Sequence, residues 1–400
     1  MNESSLDGDV VIRLHDSIEH IDAAQWAELV AHESPFLHHG VLKLFETTGC
    51  VGEGTGWMPL FFAAYTTQDG KERLVGALPF YIKTNSAGEF VFDWGWADAA
   101  HRAGIEYYPK GLVAVPFTPV TGRRVLVRPG EPNAQVLAQL LVEAAREVAD
   151  KQLGLSSVHF NFILPEERGI FEDLDIPIRY GVQYHWRNRS GAAEDAAPYK
   201  DFDDFLGRFR SKRRANLRRE RRKLAAQGVT TRVVWQEGFD EEMMHKMFVF
   251  YKRTIDKFHW GRQYLNEAFF QELPGVIPEF LHFVVASHDG RDVAGAFNLC
   301  KDRRLYGRYW GATEDLEFAH FEVCMYTPIT WCIDHGVEVF EPGAGGEHKF
   351  ERGFEPTIMH SAHHIRHPGL DGAIRDFLAQ ERQHIQSQVQ GLWADSILKP

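Results

Sequence analysis

Two stretches of apolar runs parted by polar residues, each interrupted at an Asp-Gly pair, predict the same order of elements in this 400-residue chain. Leu60–Ala97 predicts a strand, a tight turn at Asp69-Gly70, a second strand, a turn and a third strand. Leu281–Ala312 predicts the same series around Asp289-Gly290. The segments align as VGALPFY against AGAFNLC and DWGWA against RYWGA. Each stretch runs on into helical periodicity and a further apolar strand: Ala134–Lys151 then Val158–Ile163, and Phe321–His335 then Val337–Phe340. Each also opens alike, with Val10–Leu14 before a helix at Ala23–Val30 and Thr231–Trp235 before a helix at Asp240–Phe258. This internal repeat predicts an α/β chain with mixed sheets, built as two halves over residues 1–190 and 229–400 with a cleft between or beside them.

Between the halves, residues 199–228 predict a helix. Phe202, Leu206, Phe209, Leu217 and Leu224 fall on one face, and Gly228 stops it. Gly181–Pro198 reads as a polar surface loop, and Leu370–Leu398 as another amphipathic helix.

Charge changes the picture at the linking helix. The chain carries −12 overall, yet Gly207–Lys223 holds ten Lys/Arg against Glu220 alone, a local +9 that leaves −21 on the rest. An acidic body discourages nucleic-acid binding everywhere except at this segment. Its Arg213, Arg214, Arg218, Arg219 and Arg222 admit three readings: a grip on RNA phosphates, a seat for the diphosphate of a nucleotide-linked acceptor, or a solvated face paired with the acidic body. The four cysteines (Cys50, Cys300, Cys324, Cys332) lack metal-ribbon or CxxC spacing and read as reduced thiols of a cytoplasmic protein. The polar, acidic start is unlike a signal peptide, and no apolar run reaches the roughly 18 residues of a membrane span. His360, His363, His364 and His367 alternate faces of a strand rather than gathering on one side, so no metal site is expected.

The densest chemistry lies in Val337–Pro356. A buried-strand run breaks into Gly343-Ala344-Gly345-Gly346, where the backbone turns freely and a ligand approaches closely. Glu347, His348, Lys349, Glu351 and Arg352 follow at once. Such a strand end offers what polar catalysis needs: a base, donors for a developing oxyanion and groups that place the reactants. His348 or Glu347 suits the base, backbone N–H groups near Gly343 and Gly345 suit the oxyanion, and Lys349 or Arg352 would hold a phosphate or carboxylate. Asp93, Trp94, Trp96 and Asp98 form a parallel wall in the first half, with Asp93 its catalytic candidate; Arg308, Tyr309 and Trp310 stand at the repeat-equivalent place. His320 and Glu322, at a helix start, are candidates to cap that helix.

The segments Ser34–Gly49, Phe90–Ala99, Tyr107–Arg124, Lys212–Arg222, Arg308–Asp315 and the EPGAGGEHKFERGFEP block carry a family resemblance. The chain resembles the GNAT N-acyltransferase fold in tandem and is similar to the Fem-type aminoacyltransferases of peptidoglycan crossbridge synthesis. More narrowly, over nearly its whole length, it is similar to FemAB-like predicted N-acyltransferases of Gram-negative bacteria. FERGFEP is similar to a lysine-bearing F-K-x-G-F element, except that Glu351 holds the lysine position and Lys349 stands two residues earlier. The resemblance implies an N-acyltransferase that needs no cofactor and acts on a small amine, such as a peptidoglycan-precursor-like molecule. Its donor would be aminoacyl-tRNA or acyl-CoA. The R/Q-x-x-G-x-G/A pyrophosphate loop of acetyl-CoA enzymes is missing; Thr313–Glu317 places three carboxylates there instead. In the first half Tyr108, Lys110 and the VTGRR segment ending in Arg124 offer a substrate or phosphate contact. The alternatives are a CoA-dependent N-acetyltransferase with one working half and an inactive GNAT-like pair that binds a ligand.

Overall fold

A computed structural model describes residues 10–193, 195–257, 262–394 and 397–399. The chain forms two compact units. The first runs to Gly181 and includes Ile358–Ser387; the second comprises Val182–Thr357 and the residues from Gln388 on.

The strands of the first unit are β1 (Val11–His15), β2 (Trp57–Pro59), β3 (Phe61–Gln68), β4 (Lys71–Leu78), β5 (Phe80–Lys83), β6 (Lys110–Val113), β7 (Leu126–Val127) and β8 (Ser157–Ile163). One antiparallel sheet has the order β1-β3-β4-β7, its hairpin turning at Asp69-Gly70 as the pattern predicted. In the second group β2 and β5 pair antiparallel, as do β5 and β6, while β6 and β8 are parallel. A parallel pair needs a long crossover, and the Ala134–Glu147 helix supplies it. Leu137, Leu141 and Ala145 of that helix bury against Phe62, Phe80 and Phe160.

β9 (Ile178–Arg187) carries the chain into the second unit. There stand β10 (Thr230–Trp235), β11 (Leu281–His288), β12 (Arg291–Lys301), β13 (Arg304–Ala312) and β14 (Val339–Glu341), in the order β10-β11-β12-β13-β14 with the end of β9 beside β14. Neighbours are antiparallel except β13 and β14, which the Ala319–Asp334 segment joins as a crossover. Within that segment Glu322–Tyr326 widens into a π turn. β15 (Glu355–Ile365) then returns the chain to the first unit and pairs antiparallel with β8.

Several expectations need correction. Phe90–Ala97 is not a third strand: Trp94–Arg102 is a helix, because Trp96 and Ala100, four apart, bury together. Tyr199–Gln227 is two helices, Phe202–Gly207 and Ser211–Ala226, both inside the second unit. At the break, Arg210 N–H donates to the Ile397 carbonyl and Lys399 N–H to that of Arg208. Gly181–Arg187 belongs to β9 rather than to a loop. The Glu241–Asp256 helix matches its prediction, whose last residue, Phe258, lies outside the described residues, as do residues 1–9 of the polar start. The last helix, Pro368–Ala394, buries Leu370, Ile374 and Leu378 with Trp96 and Tyr107. No helix of the described residues is long and apolar enough to cross a membrane.

Candidate active site

The second unit places its glycine-rich strand end beside the outer part of β13. After Glu341 the backbone takes positive φ at Gly343, Gly345 and Gly346. At Gly346 a Cβ would stand 2.7 Å from the His348 ring, so the turn requires glycine there. Residues Glu347–Arg352 then wind into a short 3₁₀ helix, which folds Lys349 back over the turn. The result is a cavity of about 230 Å³ lined by Arg308, Tyr309 and Trp310 from β13, His320 and Cys324 from the crossover helix, and His348 and Lys349.

Lys349 is 6% exposed. Its Nζ donates to the carbonyls of Gly343 (2.8 Å) and Ala344 (3.1 Å), neither of them charged. Burial brings its pKa down to about 8, the Arg308 guanidinium adding to the effect. His348 is half-buried; burial, then Lys349 and Arg352, lower its pKa, so the imidazole is neutral at pH 7. Among the described residues its Nε2 has no hydrogen-bond partner. His320 lies 4.6 Å from Trp310 and 5.5 Å from His348 between ring centroids, and burial brings it to about 4. Burial lowers the Arg308 guanidinium to about 10; Nη1 donates to the Gly307 carbonyl at 2.6 Å.

The structure brings His348, Lys349, Gly345, Arg308, Tyr309 and Trp310 to one cavity and separates other candidates from them. Gly343 contributes its carbonyl to Lys349. Glu347 is exposed and off the cavity wall. Arg352 points the other way, correcting its substrate role: its guanidinium binds Glu220 (3.0 and 3.1 Å) and the Tyr326 hydroxyl (3.0 Å), stacked 3.3 Å from the centroid of the Phe321 ring. Glu322 does not cap its helix; it receives Arg221 bidentately. Asn298 and Cys324 on the cavity wall were missed. Asn298 was detectable as a lone amide inside the apolar run of β12, whereas Cys324 depends on the crossover helix turning it inward.

The first-half candidates are mostly buried and paired. Lys110, wholly buried, donates to Glu89 (2.8 Å), Ser86 (2.9 Å) and Asp93. Burial would raise Asp93, but Lys110 outweighs it and holds the carboxyl at about 2. The same burial raises Glu89 to about 7. Tyr107 also donates to Asp93, at 2.7 Å. Asp93 is thus a structural counter-ion rather than a base, and the Lys110 ammonium is sealed among its three partners. Tyr108 shares a hydrogen bond with Ser86 at 2.7 Å. Arg124 is fully buried and donates to the carbonyls of Asn161, Gly122 and Val120, so VTGRR is a locked turn rather than a phosphate cradle. Trp96 is packed against His363, Asp98 pairs with Arg102 at the surface, and Trp94 is exposed beside Phe92.

On the Ser211–Ala226 helix, Arg213 binds Glu351 and Arg218 binds Asp203. Among the described residues Arg214, Arg219 and Arg222 make no ion pair.

A family model for FemAB-like proteins, described as peptidoglycan biosynthesis/recognition, matches residues 17–399. No curated protein matches the sequence. Among solved structures, the C-terminal domain of a protein named as a lysylphosphatidylglycerol synthetase from Agrobacterium fabrum is similar at TM-score 0.51 and 13% identity, over 91% of this chain and 97% of that one. FemX is similar at TM-score 0.48 and 13% identity, over 92% and 100%. A tandem GNAT protein from the clavulanic acid biosynthesis pathway is similar at 0.45 and 12%, over 90% and 99%.

Proposed function

The chain belongs to the FemAB-like family, and on that premise we propose that its second-unit cavity forms an amide by passing an aminoacyl or acyl group to an amine. Family and fold support acyl transfer by an enzyme; the roles of the residues are our reading. The observation that carries it is Lys349, a buried cation facing neutral carbonyls at the end of a glycine turn. The amine attacks the carbonyl carbon of the donor. As the C–N bond forms, the carbonyl oxygen becomes an oxyanion that the Lys349 ammonium stabilises. The neutral Nε2 of His348 takes the amine proton and returns it to the departing oxygen or sulfur of the donor as that bond breaks. Tyr309 and Trp310 flank the reactants.

We read the donor as aminoacyl-tRNA ahead of acyl-CoA. Glu314, Asp315 and Glu317 precede the crossover helix where a pyrophosphate would lie, and Arg214, Arg219 and Arg222 leave a cationic surface for RNA phosphates. The acceptor would be a small amine of peptidoglycan-precursor type, met in the cytoplasm where charged tRNA is made.

The test is turnover of a radiolabelled aminoacyl donor with amine acceptors. Lys349→Met and His348→Gln should each reduce kcat by about 100-fold while the protein melts as a folded one. Undiminished turnover in both variants rejects the site.

A further inference from the structure

We propose that Asn298 seats the acceptor amine, its Oδ1 accepting one amine N–H while the other N–H faces His348, so that the enzyme takes primary amines. This rests on the transfer reading above. Asn298 lies on β12, 2% exposed, and in the strand register stands between His282 of β11 and Gly307 of β13. Its Nδ2 donates to His282 Nδ1 at 3.2 Å, behind the cavity wall. That bond turns the carbonyl end of the amide the other way, toward Gly307, which also lines the cavity. A Cβ on Gly307 would stand 3.2 Å from Oδ1 and 3.1 Å from the Phe340 ring, so glycine there keeps the approach to Oδ1 open. His282 is wholly buried on Trp331, 4.3 Å between ring centroids, and burial brings it to about 3. The ring is therefore neutral, and its Nδ1 stays an acceptor that fixes which way the amide points. Two polar side chains inside an apolar sheet add little stability over an apolar pair of the same shape. Their worth lies in the acceptor they present to the cavity.

A neutral acceptor atom suits a neutral amine. Among the described residues no carboxylate lines the cavity, so an ammonium would meet the Lys349 cation without a counter-charge on the wall. A neutral primary amine carries two N–H groups and one lone pair. With one N–H on Asn298 Oδ1 and the other toward His348 Nε2, the lone pair is left for the donor carbonyl carbon. The C–N bond forms and the donor's bond to oxygen or sulfur breaks. The proton on the His348 side passes to the departing atom, and the hydrogen on the Asn298 side stays on nitrogen. The product is a secondary amide whose N–H still rests on Oδ1. A secondary amine has to give up one of the two contacts. Asn298 thus touches the substrate, and His282 acts through it as a positioning residue.

The test uses the intact protein and small amines uncharged at neutral pH: methoxyamine, N,O-dimethylhydroxylamine and N,N,O-trimethylhydroxylamine, with two, one and no N–H groups. Thermal shift should rank them in that order, with about tenfold in affinity lost per N–H removed. In Asn298→Leu the step between the first and the second should vanish. Equal binding of all of them to the unaltered protein, or an unchanged order in Asn298→Leu, overturns the proposal, and the first comparison needs no variant. Turnover separates the two readings. Alaninamide should exceed N-methylalaninamide about tenfold in kcat/KM. The ratio should fall toward one in Asn298→Leu and His282→Phe and return in His282→Gln, whose side-chain carbonyl accepts from Nδ2. Equal kcat/KM for the pair in the unaltered protein overturns the amine seat and leaves amide formation standing. Equal ratios in His282→Gln and His282→Phe overturn the positioning role of His282. Binding in the expected order without turnover on any donor keeps the seat and rejects amide formation.

Discussion

Lys349 ties activity and stability to pH in opposite senses. Its folded pKa of about 8 lies below its ordinary 10.5, so between these values the unfolded chain binds more protons than the folded one. Stability contributed by this group therefore rises with pH through that window, and a penalty on the order of 3 kcal/mol is fully present below pH 8. Lys349→Met should raise the melting temperature relative to the native chain at pH 7, and the difference should shrink toward pH 10.5, as scanning calorimetry across that range would show. Catalysis runs the other way on the alkaline side: loss of the ammonium near pH 8 removes the oxyanion partner, while protonation of His348 below its lowered pKa removes the base. The profile of kcat/KM should be bell-shaped, with an alkaline limb near 8 that moves upward in Lys349→Arg. An unmoved limb would assign it to another group.

At the scale of elements, the Arg352–Glu220–Tyr326 contact fastens the Ser211–Ala226 helix to the glycine turn. Both charged side chains are buried, at 5% and 8% exposure. Removing one partner leaves the other charge buried and unpaired, at a cost of about 3–5 kcal/mol. Glu220→Ala should lower the urea midpoint accordingly, whereas Glu220→Leu with Arg352→Leu should recover much of the loss. This contact also shows where the sequence stops being legible. The strand, turn and strand around each Asp-Gly pair could be read because apolar runs flank a turn-forming pair, and those runs are buried along most of their length. The repeat marked Arg308, Tyr309 and Trp310 and the strand end marked His348 and Lys349, but that β13 and the glycine turn bring them to one cavity was not legible in the sequence. Arg352 looked like a substrate ligand because a cation near glycines carries no mark of its partner, and Glu220 lies 132 positions away. Trp94-Gly95-Trp96 looked like a strand because a two-residue spacing of aromatics masked the four-residue spacing of Trp96 and Ala100.

For the molecule as a whole, the chain crosses between units three times, and Ile358–Ser387 completes the first. Both units contain the antiparallel strands, crossover helix and parallel strand that the repeat predicted, but their chemistry is unequal. The first seals its ions inside, while the second opens a cationic cavity. The surface cations of the second unit give the donor test. Bulk tRNA should raise the melting temperature, with an effect that falls as salt rises, and Arg219→Glu with Arg222→Glu should abolish it. Stabilisation by CoA alone, unchanged in the double variant, would assign the donor to a thioester. A chain ended after Thr357 should leave β8 without β15 and expose Val158 and Phe160, so limited proteolysis should digest the first unit.

That return of β15 also sets the order of events on the ribosome. Nearly half of the polypeptide must emerge between Gly181 and the strand that finishes the first unit. At about 5–20 residues per second this is a wait of about 10 to 35 seconds. Throughout it the nascent N-terminal portion presents a bare β-edge to the cytosol, a natural client for a holding chaperone.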